Sequence, residues 1–215
     1  MNLRRLSAEF IGTFFLVLVI CMTTYAKVSA DLQPIAIGLM LIGLIYANGY
    51  MSAAMFNPAV TLAFWLRGRI ETKAALAYIV VQFIASIAAA GLTIALTMAK
   101  PIVQPIAGTP QYFALIPALL AEIVGTFLLC WVILNVATSK TIEGNSFYGL
   151  AIGATVSGLI YTLGSVSGSV FNPAVAVALG VVQISNWSSL WIYFVGSLGG
   201  AALAALAYRF INRDE

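Results

Sequence analysis

Phe56-Asn57-Pro58-Ala59-Val60 recurs as Phe171-Asn172-Pro173-Ala174-Val175, 115 positions further along the chain. In both copies Asn precedes Pro, the order in which Asn caps a helix and Pro fills its first position, where a missing N–H costs nothing. Each copy therefore predicts a helix start. The apolar run after Pro58 reaches to about Leu66 and that after Pro173 to about Val182, so each helix is roughly 14 Å long at about 1.5 Å per residue. That is about half of the ~30 Å hydrocarbon thickness of a bilayer. One Asn-Pro alone reads as an ordinary helix start; two identical pentapeptides at matching places of a membrane repeat read as a pair of half-helices.

Composition makes the bilayer the right yardstick. The 215 residues are 62% hydrophobic and 8% charged, with a mean hydropathy of +1.02, whereas soluble domains carry about a quarter charged residues. The chain is read as an integral membrane protein. Apolar runs of span length give six crossings, roughly 6–26, 34–51, 74–98, 113–137, 147–164 and 187–210. The first follows Arg4 and Arg5, is long enough to span and has no obvious processing site, so it is read as a permanent helix. The half-helices fall between spans two and three and between spans five and six. Six crossings put both termini on one side, together with Arg4, Arg5, Arg67, Arg69, Lys73, Lys140, Arg209 and Arg213, and leave Lys27 and Lys100 opposite. The positive-inside rule then predicts cytoplasmic termini.

The likeness of the halves extends beyond the pentapeptide. Glu9-Phe10-Ile11-Gly12-Thr13-Phe14 matches Glu122-Ile123-Val124-Gly125-Thr126-Phe127 at an offset of 113, while Gly38 matches Gly153 and Tyr78 matches Tyr193 at 115. Three spans per half is an odd number, so the second half inserts upside down relative to the first. The expected fold class is an all-α membrane protein of six transmembrane helices plus two re-entrant half-helices. It forms one domain over 1–215, with inverted repeats of about 1–100 and 113–215 joined by an extracellular Pro-rich linker from Pro101 to Pro110. Half-helices entering from opposite faces bring their N-termini together near the midplane, each with uncapped N–H groups and the positive end of a helix dipole.

Few residue types here can do covalent chemistry. The chain has no His, and Cys21 and Cys130 lie singly inside apolar spans, so no metal, no cofactor and no disulfide framework is expected. The net charge of +3 is accounted for by orientation and does not indicate nucleic acid. Arg67, Arg69, Glu71 and Lys73 read as a solvated interfacial anchor. Glu9 and Glu122 are the acidic residues placed inside spans, where a carboxylate is costly unless it finds donors. Non-helical backbone at membrane depth has the complementary need. Each Glu is therefore expected to hold one re-entrant stretch, Tyr50 to Phe56 or Ser165 to Phe171. Because the two face different loops they make no catalytic pair, and an enzyme is not expected. Gly12, Gly125, Gly199 and Gly200 are expected to serve close helix packing.

Two Asn-Pro-Ala half-helices in an inverted repeat, with Glu-Xaa-Xaa-Gly-Thr-Phe opening each half, resemble the aquaporin (major intrinsic protein) family over essentially the whole chain. The resemblance implies a homotetramer in the lipid bilayer, each subunit with its own pore for water and small neutral solutes. It also implies that Asn57 and Asn172, in the motifs Asn57-Pro58-Ala59 and Asn172-Pro173-Ala174, donate to a passing oxygen while the facing dipoles repel cations, the general mechanism of aquaporin-type pores. The family's narrow constriction falls by resemblance on Ile37, Ile160, Ser169 and Val175. Most members have Arg at the position of Val175, and water-selective members commonly have an aromatic and His at those of Ile37 and Ile160. Met55 stands where His is frequent and Ser197 where Pro is usual.

An aliphatic, Arg-less filter implies selection by size and apolarity, and solutes such as ammonia, glycerol or urea beside water. An ion- or proton-leaky channel and a closed, structural member of the family stay open as alternatives. Short termini resemble those of prokaryotic members, which makes the plasma (inner) membrane the expected location.

Overall fold

The computed structural model describes residues 2–25, 29, 31–97 and 114–213; Lys27, Lys100 and the linker 101–110 lie outside them. Because the spans are apolar on every face, no polar side fixes their orientation, and helix–helix fit decides the packing. Six helices among the described residues are long and apolar enough to cross a membrane. They are α1 (Leu3–Tyr25), α2 (Gln33–Ser52), α4 (Thr72–Thr97), α5 (Leu115–Thr138), α6 (Tyr148–Ser167) and α8 (Leu190–Ile211), the last entered through a single 3-10 turn at Trp187–Ser189. Between them sit two nine-residue helices, α3 (Pro58–Leu66) and α7 (Pro173–Val181). The series long, long, short, long thus occurs twice.

Small residues set the crossings. A Cβ on Gly38 of α2 would come within 2.7 Å of the Gly153 carbonyl oxygen, and one on Gly153 of α6 within 2.6 Å of the Gly38 carbonyl oxygen. The two helices therefore cross backbone to backbone where the halves meet. They run antiparallel: the Ser157 hydroxyl donates to the Pro34 carbonyl at 2.9 Å, and at the other end the Tyr46 hydroxyl donates to the Ser146 carbonyl at 2.9 Å. Helices α5 and α8 run parallel, Gly196 facing Glu122, Gly200 facing the Ile123 carbonyl, and Trp131 meeting Tyr208 at 6.3 Å between rings. Gly199, expected at a close contact, has nothing within 4 Å of its missing Cβ. It sits on the flank of the α8 face that meets α5, so the close packing surface is the 196–200 pair.

Both α2 and α6 run further than the apolar pattern suggests, to Ser52 and Ser167, and end in left-handed residues, Ala53 (φ 69°) and Gly168 (φ 87°). Only four residues, 53–56 and 168–171, then separate each from the Asn that opens the following half-helix. On the face carrying the termini, Arg69 Nη2 donates to the Thr138 carbonyl at 2.5 Å and Arg209 Nη1 to the Leu66 carbonyl at 3.4 Å. These bonds tie the ends of α3, α5 and α8 together on that face.

Candidate functional site

The re-entrant loops are strained, and their anchors explain how they persist. Ala53, Ala54 and Phe56 all have positive φ, as do Gly168, Ser169 and Phe171, and each non-Gly residue held there costs about 1–2 kcal/mol. Glu9, fully buried, offsets this by accepting from the Ser52 hydroxyl (2.7 Å), Met55 N (3.0 Å), Phe56 N (2.8 Å) and Gln82 Nε2 (2.9 Å). Glu122, also fully buried, accepts from the Ser167 hydroxyl (2.6 Å), Val170 N (3.0 Å) and Phe171 N (2.7 Å). An N–H left without a partner at membrane depth costs about 1–3 kcal/mol, so the loops cannot relax away from the two carboxyl groups without losing several such bonds. The two Glu are thus buried on donors and do not snorkel to the interface.

The spacing Glu-Xaa-Xaa-Gly now has a physical reason. Residues i and i+3 share a helix face, so while Glu9 takes the backbone N–H of Phe56, Gly12 leaves room for its ring: a Cβ on Gly12 would lie 1.9 Å from Phe56 Cε1. Gly125 does the same for Phe171, at 2.1 Å. These two glycines pack a loop phenylalanine and not, as expected, another helix. Neither the Ser52 and Ser167 hydroxyls nor Gln82 was anticipated, although Ser52 and Ser167 are themselves 115 apart and Gln82 is a polar residue inside an apolar span. Ser197 stands where the repeat would put a second Gln82, and its hydroxyl donates instead to its own helix at Tyr193 O, 2.5 Å.

Past the loops, each Asn is fixed at both ends of its amide. Asn57 Oδ1 accepts from Ala59 N at 2.8 Å, and Asn172 Oδ1 from Ala174 N at 2.9 Å and Val175 N at 3.4 Å. This is the helix N-cap that the Asn-Pro order predicts, and it dictates that the amide nitrogen points away from the helix. There each reaches across to the opposite loop, Asn57 Nδ2 to the Phe171 carbonyl (2.9 Å) and Asn172 Nδ2 to the Phe56 carbonyl (3.0 Å). The half-helices meet tip to tip through these two bonds. The Ser86 hydroxyl, donating to the Ala174 carbonyl, adds a further bond between the halves close to this junction.

A cavity of about 1070 Å³ runs past this junction. Its wall includes Asn57 and Asn172 at the meeting point, Asp31, Gln33 and Tyr161 toward one face, and Arg69, Thr138 and Lys140 toward the face of the termini. Ile37, Ile160, Ser169 and Val175 all line it. Ile37 and Val175 are buried, and Ser169 donates its hydroxyl to the Leu159 carbonyl at 3.2 Å, which leaves that oxygen as an acceptor toward the lumen. Met55 also lines the cavity. Pro58, Ala59, Pro173 and Ala174 are buried behind the two Asn as the first turns of α3 and α7. Among the described residues no group of three or more His, Cys, Asp or Glu lies together. Cys21 and Cys130 are buried free thiols.

The family profile described as Major intrinsic protein matches residues 1–208. The chain belongs to the major intrinsic protein family. A probable aquaporin NIP-type of Nicotiana alata is 34% identical over 225 residues, covering 99% of this chain and 79% of that protein. Aquaporin AqpM of Methanothermobacter marburgensis is 32% identical over 246 residues, covering 98% of each. The crystal structure of the aquaglyceroporin from Plasmodium falciparum superposes with a TM-score of 0.81 over 97% of this chain and 96% of that one; at 18% identity the likeness shows the fold. Aquaporins are channels and not enzymes, and this chain is a multi-pass membrane channel of the water and small-solute class.

Proposed function

We propose that the chain conducts water and small uncharged solutes passively, ammonia, glycerol and urea among them, along the cavity between Asp31 and Lys140. Its narrowest stretch on this reading is formed by Ile37, Ile160, Ser169 and Val175. The observation that carries the reading is the tip-to-tip pair of Asn caps, each with one amide N–H committed to the opposite loop and a second left for an oxygen in the lumen. A helix N-terminus carries about half a unit charge, so two facing ends act on a cation like roughly one positive charge. At ~5 Å and an effective dielectric of ~20 that is a repulsion of about 3 kcal/mol, while a neutral solute is merely oriented.

With Val175 in place of a guanidinium, the filter offers the Ser169 oxygen as an acceptor among aliphatic walls. A solute is then sorted by size and by the cost of shedding its own water, not by a set of fixed donors. We further infer two inverted repeats within one domain, a homotetramer with a pore in each subunit, and an inner-membrane location with both termini in the cytoplasm. The motif matches between the halves support the repeat, the basic residues Arg67, Arg69, Arg209 and Arg213 near the ends of α3 and α8 support the orientation, and the tetramer rests on membership of the family.

Stopped-flow light scattering on proteoliposomes tests the core of the proposal. Water and glycerol fluxes well above those of empty vesicles are expected. Fluxes equal to empty vesicles would overturn it, and planar-bilayer currents with a defined reversal potential would favour an ion conductor. Val175→Arg is expected to suppress glycerol and urea several-fold more than water; an equal loss for every solute would remove Val175 from the constriction.

A further inference from the structure

A second cavity, of about 670 Å³, opens on the face of the termini where the end of α3 meets the last turn of α8. It is lined by Trp65, Leu66, Gly68 and Asn212 together with three arginines, Arg67, Arg209 and Arg213, of which Arg209 also donates to the Leu66 carbonyl. Two of the guanidiniums are oriented by rings, Arg67 at 4.6 Å from the centre of Tyr208 and Arg213 at 4.6 Å from that of Phe210. A guanidinium stacked on a ring presents its N–H donors at its edge, in the fork that matches two phosphate oxygens.

The surroundings suggest what brings the phosphate. Leu203, Leu206 and Phe210 are 51%, 59% and 68% exposed, and their spacing lays them along one stripe of α8 that leads up to Arg213. Trp65, 40% exposed, stands at the rim, the depth at which Trp sits in membranes. An apolar stripe ending in a basic pocket is complementary to a molecule with acyl chains and an anionic head, and such pockets near the cytoplasmic surface are suited to acidic lipid headgroups.

We propose that the pocket at Arg67, Arg209 and Arg213 binds a phosphate group, supplied by an anionic phospholipid whose chains lie on the Leu203–Phe210 stripe. Native mass spectrometry of the full chain in non-ionic detergent tests this by titration with phosphatidylglycerol, phosphatidylcholine or inorganic phosphate. Phosphatidylglycerol is expected to bind at least tenfold more tightly than phosphatidylcholine, and R209Q/R213Q to abolish that preference. R4Q/R5Q removes the same charge from the same face and is expected to change affinity less than twofold. R209K/R213K, which keeps charge but not the fork, should fall between. Osmotic flux in R209Q/R213Q vesicles checks that the variant is folded. Inorganic phosphate adducts lost in R209Q/R213Q, without a lipid preference, would support the phosphate site and assign it a soluble ligand. Equal losses in the two Arg pairs, or no preference for either phosphate source over phosphatidylcholine, would overturn the proposal.

Discussion

At the scale of single residues, the two anchoring carboxylates are equivalent in place but not in coordination. Glu9 has a side-chain donor from α4, Gln82, that Glu122 lacks, because Ser197 turns its hydroxyl back onto Tyr193 O. Removing a partner from a buried acceptor costs about 1–3 kcal/mol, and more where the acceptor is charged. Gln82→Ala is therefore expected to lower stability by at least that much, and Ser197→Ala by well under 1 kcal/mol; thermal unfolding in detergent measures both. Equal effects would mean that Gln82 matters only as bulk. Gly12 and Gly125 support a parallel prediction. A methyl at either must displace the ring of a phenylalanine whose backbone N–H is held by a carboxyl group, and overpacking of this kind costs about 1–3 kcal/mol. Gly12→Ala is expected to destabilise more than Gly199→Ala, whose Cβ would meet nothing.

At the scale of elements, α3 and α7 are short enough to need help. Nine residues is below the ~12–15 at which even helix-favouring sequences hold in water, so cap, brace and burial must supply the difference. Asn57→Asp separates two of these. A carboxylate still caps Ala59 N and is favoured by the dipole, but it cannot donate to the Phe171 carbonyl, and it places a negative charge where, on the proposed mechanism, the facing helix ends repel cations. The variant is expected to fold and to gain a proton leak, read as acidification of dye-loaded vesicles under a pH gradient. A folded variant without any leak would show that the dipoles and amides are not the cation barrier. The half-helices themselves were legible in the sequence because Asn-Pro states both a cap and a first turn. The cross-brace was not, since nothing in the letters says that a capping amide's nitrogen meets a carbonyl more than a hundred residues away. Nor was the length of the re-entrant loops: a helix that ends on a positive-φ alanine, as α2 does at Ala53, carries no breaker to mark its stop.

At the scale of the molecule, the six spans could be read from hydropathy to within about three residues, and the inversion from the odd count of spans per half. How closely the halves approach could not, because apolar helices leave contact distance to side-chain volume. The Gly38–Gly153 crossing sets that distance, and it lies beside the proposed filter: Ile37 is Gly38's neighbour on α2, and Ile160 stands two turns along α6 from Gly153. A methyl on Gly38 would meet the Ser157 hydroxyl oxygen at 1.9 Å, which a rotation of that side chain can relieve, and the Gly153 carbonyl oxygen at 2.7 Å, which only a shift of backbone can. The two helices must then part by several tenths of an ångström or more, carrying Ile37 and Ile160 away from each other. If those side chains form the constriction, Gly38→Ala widens it. The ratio of glycerol to water permeability in proteoliposomes is expected to rise at least twofold, and Val175→Arg on the same background to bring it back down. A destabilised protein with an unchanged ratio would instead mean that the narrowest point lies elsewhere along the cavity, with the two Asn as the next place to look.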